Sequence, residues 1–288
     1  MSVPALPSLL DADGDVKACC AELYASEVAR WLLGDELHPG GERITLRLAE
    51  MAGVGAGDRV VDVAAGRGVT ARLLARRFGA EVVGVELSAV TVEGARCATD
   101  DARVRFLQGD AEALPLPDAS FDVAVSECSL CTFPDKPRAV AEMARVLRPG
   151  GRIAIADVTA DTQALPEALR TAAARIACVA DARTEDEYVA LLEAAGCEIL
   201  ARERRDADLL AMTDRIEARL RVARMLVAPG VQRDRVREAI ELASLARAAT
   251  ERSRLGYALL VARLTHRATR KPMLHAGSRR NRRQRETT

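Results

Sequence analysis

Residues 60–68 read Val-Val-Asp-Val-Ala-Ala-Gly-Arg-Gly, and this run carries the first chemical signal in the chain. Small residues after an apolar stretch let the backbone turn tightly and approach a ligand closely. Two further acids follow at comparable points. Glu86 lies 24 residues after Asp62, where an acid can accept from both hydroxyls of a ribose. Asp110, in Gly109-Asp110-Ala111-Glu112, is placed to accept from an adenine amino group. Seven cysteines form a second signal: Cys19, Cys20, Cys97, Cys128, Cys131, Cys178 and Cys197. The count is odd and the start of the chain is not a signal peptide, so a disulfide framework is not expected. Buried thiols, a metal or metalloid site and redox chemistry stay open. Free Cys is commonly a small core hydrophobe, and Cys97 (inside a helix) and Cys197 (at a strand start) read that way. Cys128 and Cys131, three apart, would both face a group bound beyond their strand. His38, ahead of Pro39-Gly40-Gly41, could act as a general base over a pocket, although a histidine in a turn is more often merely exposed.

The scaffold for these residues is an alternation of strands and helices. Short apolar runs at 59–63, 81–86, 104–107, 122–126 and 152–157 read as buried strands, with helices at 69–78, 88–97 and 138–147. Continuous apolar strands separated by helices give a mostly parallel sheet covered on both faces, a doubly wound α/β domain. Asp62, Glu86 and Asp110 then fall at the carboxyl ends of three adjacent strands, where open α/β sheets bind ligands. Helices are expected at 163–177 and 184–195, the second with Thr184 and Glu187 as a capping box and Gly196 as its C-cap. A sixth strand spans 197–203 and a last one 255–264. Helices at 208–227 and 234–252, joined by Pro229-Gly230, read as an insertion between those two strands. Residues 17–50 hold two short helical candidates. The organisation expected is an N-terminal helical cap over 1–52, the main domain over 53–265 and a basic tail over 266–288.

With 288 residues, 49% hydrophobic and 29% charged, the chain can bury a full core, which excludes wholesale disorder and collagen-like structure. No stretch reaches the roughly 18–20 apolar residues of a membrane span, and a cytoplasmic location is the expectation. The zero net charge hides an asymmetry: residues 1–265 carry 34 basic and 41 acidic groups, while 266–288 carry eight basic and one acidic. The tail could touch nucleic acid, but the body is acidic, aromatics are 3% and no nucleic-acid motif is present. A solvated tail is the simpler reading. Trp31 and Tyr24 could cover a cationic ligand, with helix packing the plainer role.

Residues 62–68, Glu86, 109–117 (GDAEALPLP), 120–122 and 145–151 (RVLRPGG) together resemble the class I S-adenosylmethionine-dependent methyltransferases, over roughly 58–160. The resemblance implies a Rossmann-like seven-stranded sheet with the last strand antiparallel, and S-adenosylmethionine as cofactor. It places Asp62 near the methionine end and Gly66 and Gly68 in close approach. It puts Glu86 on the ribose, and Asp110 with the Ala111 amide on adenine; Leu87 and Ser126 complete the set. Ala64 stands where many relatives have Gly. A dinucleotide-binding reading fits less well, because no third Gly follows Gly66-x-Gly68 at the expected spacing. The stretch from Cys128 to Pro134-Asp135-Lys136 further resembles the arsenite methyltransferases. By that resemblance Cys178 is a second arsenic ligand and Cys19 and Cys20 are N-terminal thiols, with Cys131 supporting. Soft thiolates suit trivalent arsenic and would leave its lone pair free to attack a methyl group. There are departures: Glu127 replaces the usual Asn, the paired N-terminal tyrosines reduce to Tyr24, and the C-terminal domain is not recognisable. A small organic oxygen, nitrogen or carbon acceptor, of quinone or natural-product type, is the alternative. A non-catalytic module that binds the cofactor or a metalloid is a third reading. No resident metal is expected.

Overall fold

A computed structural model describes residues 24–35, 37–170 and 179–265. Seven strands form one sheet: β1 (Arg59–Val63), β2 (Glu81–Glu86), β3 (Val104–Gln108), β4 (Phe121–Glu127), β5 (Leu147–Ala160), β6 (Cys197–Arg204) and β7 (Leu255–Leu264). Their order is β3-β2-β1-β4-β5-β7-β6. The first five pair in parallel, and β7 runs antiparallel between β5 and β6. The described helices are α1 (Glu27–Leu33), α2 (Glu42–Ala52), α3 (Val69–Phe78), α4 (Ala89–Cys97), α5 (Lys136–Val146), α6 (Glu185–Ala194), α7 (Asp206–Leu226) and α8 (Val231–Glu251).

The two-residue period of the strands sorts their apolar side chains onto two faces. Val60, Val82, Val123 and Ala154 pack with Leu48 of α2, Leu74 of α3 and Val92 of α4. Val61, Val83, Ala124 and Ile153 pack with Val140 and Met143 of α5 and Leu192 of α6. Both faces of the central strands are covered, so β1, β2 and β4 read as nearly continuous apolar runs, while the edge strands β3 and β6 alternate buried and exposed residues. A third cluster joins Val28 of α1 to Leu220 of α7 and Ile240 of α8, with Trp31 packed against it. Arg219 donates to the carbonyls of Trp31 and Leu32 and so closes the end of α1. Trp31 is therefore a packing residue.

Several boundaries shift by one to three residues from the sequence reading, and three differences have a clear physical reason. Strand β5 runs well beyond 152–157, because β7 pairs with it from Arg152 to Ala160 and Phe121 pairs with Leu147 beyond a register shift. Of the helix expected at 163–177, the described part holds only a 3-10 turn, Glu167–Arg170. Pro166 disfavours helical backbone at Leu165; residues 171–178 lie outside the described residues. Helix α6 keeps its capping box, the Thr184 and Glu187 side chains each accepting the other's backbone N–H. Its C-cap, however, is Ala195, and Gly196 follows in the left-handed region at φ 84.

Candidate active site at the carboxyl ends of the strands

A cavity of about 1130 Å³, including its mouth, opens at the carboxyl ends of β1, β2 and β4. Asp62, Ala64, Gly66, Glu86, Leu87, Asp110 and Ala111 line it. Each element delivers its residue for a local reason. Glu86 ends β2, and its carboxylate accepts from the Gly66 N–H at 3.0 Å and the Ser88 N–H at 2.9 Å. Both oxygens are thereby oriented, and each keeps a lone pair for a ligand donor. Asp110 accepts from the Glu112 N–H at 2.9 Å, which fixes the turn after β3.

Asp62 is 3% exposed, and its Oδ2 has no hydrogen-bond partner among the described residues. Burial, then Glu127, then Glu86 push its pKa up to about 8, against a hydrogen bond from the Ala71 backbone. An unpartnered buried oxygen beside two further carboxylates is arranged for a cationic group. Ala64 takes φ 59, a conformation that favours glycine, and it does so at the position where many relatives of the resembled class carry Gly.

Two residues expected to touch the cofactor do not line the cavity. Gly68, at φ 73, precedes α3, and a Cβ there would lie 2.2 Å from Cζ of Phe106. The glycine is required by packing between the loop and β3. Ser126 is fully buried, and its hydroxyl shares a 2.6 Å hydrogen bond with Ser129, which does line the cavity.

The cysteines separate. Cys128, at φ 49, lines the cavity, and its N–H donates to the Ala156 carbonyl. Cys131 does not line it: the 3-10 turn Leu130–Thr132 rotates this residue into the core, where its N–H donates to Asp157 at 3.2 Å. The paired arrangement expected of these thiols is thus not formed. Asp135 caps α5 and the Lys136 ammonium donates to the Phe133 carbonyl, so Pro134-Asp135-Lys136 starts a helix. Cys97 is exposed, against the expectation of a core thiol; α4 buries Val92 and Ala95 and leaves its last residue on another face. Cys197 is buried as expected, which pushes its thiol up to about 11. Cys19, Cys20 and Cys178 lie outside the described residues. So do His266 and His275.

His38 is buried and lines the cavity. Its Nδ1 donates to the Pro39 carbonyl at 3.2 Å, and its Nε2 lies 3.3 Å from the Thr45 hydroxyl. Thr45 donates to Glu127 at 3.0–3.1 Å, and Thr70 donates to the same carboxylate at 2.7 Å. The Glu127 side chain is 4% exposed and lies 3.7 Å from His38 Nε2. Sequence reading noted Glu127 only as a departure and passed over Thr45 and Thr70. The signal was available: Glu127 ends β4, as Glu86 ends β2.

A seven-stranded sheet of this order, parallel but for β7, is the Rossmann-like fold of solved methyltransferases. A solved putative sarcosine dimethylglycine methyltransferase from Galdieria sulphuraria superposes with TM-score 0.72 at 20% identity, over 87% of this chain and 99% of that one. A solved [4+2]-cyclase, SpnF, superposes with TM-score 0.69 at 24% identity, over 91% and 97%. Residues 61–155 match the family described as a methyltransferase domain. Over 174 residues the chain is 40% identical to methyltransferase GfsG of Streptomyces halstedii, covering 58% of this chain and 62% of that one. It is 39% identical over 165 residues to 27-O-demethylrifamycin SV methyltransferase of Amycolatopsis mediterranei, covering 54% and 60%. It is 34% identical over 208 residues to an arsenite methyltransferase of Halobacterium salinarum, covering 66% and 51%. The chain thus spans about half to three-fifths of these relatives' lengths. No helix among the described residues is long and apolar enough to cross a membrane.

Proposed function

We propose that the chain transfers a methyl group from S-adenosylmethionine to a small acceptor bound in the cavity. The observation that carries this reading is the buried Asp62 carboxyl, with one unpartnered oxygen, in a cavity it shares with Glu86, Asp110 and Glu127. The residues fit the cofactor. Glu86, held by two backbone N–H groups, would accept from the ribose hydroxyls. Asp110 and the Ala111 amide would meet the adenine, with Leu87 against the ring. Asp62 would face the cationic methionine end, with Ala64 and Gly66 letting the backbone come close. Ser126 would act through Ser129, and Gly68 by shaping the loop. When bound, the cofactor supplies an electrophilic methyl on a sulfonium; the chain's own groups align the acceptor and exclude water.

Calorimetry with S-adenosylhomocysteine tests the site. Wild type should bind, and Asp62→Ala and Glu86→Ala should each weaken binding at least tenfold, equivalent to about 1.4 kcal/mol. Unchanged affinity in both variants would remove the assignment.

A small organic acceptor is the reading favoured by the cavity, which Cys128 alone of the described thiols lines. A second reading, thiol-bound trivalent arsenic, is favoured by one observation: Cys128 lines the cavity. It requires Cys178, Cys19 or Cys20 to join Cys128, with Cys131 remaining in the core. Arsenite should then protect Cys128 from iodoacetamide, and Cys128→Ser should abolish methylated arsenic. Full alkylation in excess arsenite would discard it.

A further inference from the structure

Six large apolar side chains stand exposed among the described residues, and four of them, Val222, Met225, Leu226 and Val231, fall within ten residues at the turn between α7 and α8. They are between 54% and 79% exposed, and none belongs to a packed cluster of the core. Helix α7 has two apolar faces here. Leu220 and Ala223 turn inward and pack with Val236 and Ile240 of α8. Val222, Met225 and Leu226, spaced i, i+3 and i+4, turn outward on one face. The turn continues that surface: residues 225–231 read Met-Leu-Val-Ala-Pro-Gly-Val, with no charge. Arginines surround it. Residues 219–237 hold six Arg and one acid, Asp234, whereas the rest of 1–265 holds 28 basic and 40 acidic groups. Arg233 donates to the Arg224 carbonyl at 3.3–3.4 Å and so ties the two helices together at the edge of the apolar turn. Arg221 and Arg237 are held along their own helices by Glu217 and Asp234. The result is an apolar tip in a collar of arginines, on a body that is otherwise acidic.

We propose that this hairpin tip docks on the surface of an anionic phospholipid bilayer. The four apolar side chains enter the boundary between headgroups and acyl chains, and the arginines meet the lipid phosphates. The hairpin does not span the bilayer, since neither helix is long and apolar enough to cross it. Charge and size select lipid over other cover. In a second copy, two tips face to face would set one net +5 collar against another. The patch is also small: a standard protein interface takes about 20–30 residues a side, and the exposed apolar run occupies ten. A nucleic acid would meet the charge and leave the aliphatic side chains in water, and residues 219–237 include no aromatic ring for a base to stack on. A lipid surface satisfies both halves at once. Because the four side chains lie outside the packed core, docking needs no rearrangement of the fold. The surface is independent of the proposed methyl transfer, and its test needs neither cofactor nor acceptor.

Co-sedimentation of the full-length chain with vesicles tests the surface. The chain should bind phosphatidylcholine–phosphatidylserine vesicles of roughly 3:1 composition and bind phosphatidylcholine alone at least tenfold more weakly. The basic stretch 266–288 offers a purely electrostatic alternative, so the variants address the apolar half as well. Met225→Ser/Leu226→Ser should lower the affinity at least tenfold, and Arg224→Gln about fivefold. Both apolar positions are exposed, so the double variant should melt as wild type does. Leu226→Trp adds a reporter at the tip, and lipids with brominated acyl chains should quench the fluorescence it adds over the Trp31 background. If the double serine variant melts early, this quenching decides. Vesicle affinity unchanged in a stable Met225→Ser/Leu226→Ser protein overturns the proposal. So does a wild type that binds no vesicles, or Leu226→Trp fluorescence untouched by brominated lipid. A dimer in sedimentation equilibrium that the double serine variant dissociates would assign the tip to a second copy and overturn it equally.

Discussion

In the proposed function Asp62 would tie cofactor binding to the stability of the free protein, and the link can be measured. Its pKa rises from an ordinary 3.8 to about 8 in the fold. Between those values the unfolded chain has released the Asp62 proton and the native chain still holds it. The unfolded state therefore binds fewer protons, and stability falls as pH rises through this window. A tenfold change in proton affinity corresponds to about 1.4 kcal/mol, so the rise from 3.8 to about 8 sets a ceiling of roughly 5–6 kcal/mol on the penalty at pH 8. Asp62→Asn removes the titration while keeping an oxygen for the Ala71 N–H. The assay is urea unfolding of both proteins at pH 5, 6, 7 and 8, taking wild type minus variant so that other carboxylates cancel. The difference should move against wild type by up to about 1.4 kcal/mol for each tenfold drop in proton concentration and level off above pH 8. In calorimetry across buffers of different ionisation enthalpy, wild type should release a proton on binding S-adenosylhomocysteine that Asp62→Asn does not release. Parallel stability curves from pH 5 to 8 would mean that Asp62 is ionised throughout, and the reasoning would fail.

Other expectations concern the loop and the thiols. Ala64→Gly should stabilise the protein, since relief of a left-handed alanine, about 1–2 kcal/mol, exceeds the added chain entropy of about 0.5–1 kcal/mol; denaturant midpoints read the difference. Gly68→Ala should cost about 3 kcal/mol by combining that backbone strain with overpacking against Phe106, and Gly68→Ala/Phe106→Leu should recover part of it. Timed iodoacetamide labelling of the described thiols should modify Cys97 first and Cys128 next, with S-adenosylhomocysteine slowing Cys128. Cys131 and Cys197 should react only on unfolding. Thr184→Ala should cost about 1 kcal/mol through loss of the α6 cap.

Strands β1, β2 and β4 were legible because a sheet covered on both faces demands nearly unbroken apolar runs, and Val60-Val61 or Val82-Val83 have no other use; the edge strand β3 shows instead as Val104 and Phe106 alternating with Arg105. Glu86 and Asp110 followed from standing at the ends of such runs. Gly68 and Ser126 were harder, since a small residue near a ligand loop looks alike whether it touches the ligand or a neighbouring ring, and only Phe106 decides it. Cys131 differs from Cys128 by a single 3-10 turn, which rotates one thiol inward and leaves no mark in spacing. His38 depends on partners far along the chain: Thr45 meets Glu127 across 82 residues. No local pattern encodes that encounter. Pairing with β7 likewise lengthens β5 beyond what its own residues predict.

The hairpin of α7 and α8 leaves β6 and rejoins at β7 within one small patch, where the Arg205 N–H donates to the Tyr257 carbonyl and the Tyr257 N–H donates to Asp206. Its two ends are thus clamped together by the sheet itself. A connection closed at its base can grow or shrink at modest cost, about 0.6 kcal/mol for each doubling of loop length, without moving any strand register. The hairpin also holds Val28 and Trp31 of α1, the helix that follows Tyr24 and Ala25 on the cavity wall. Exchange of this one module would therefore remodel the wall on the α1 side while the residues at the strand ends stay in place. The α1 side of the cavity and the strand ends thus rest on separate parts of the chain, free to vary independently.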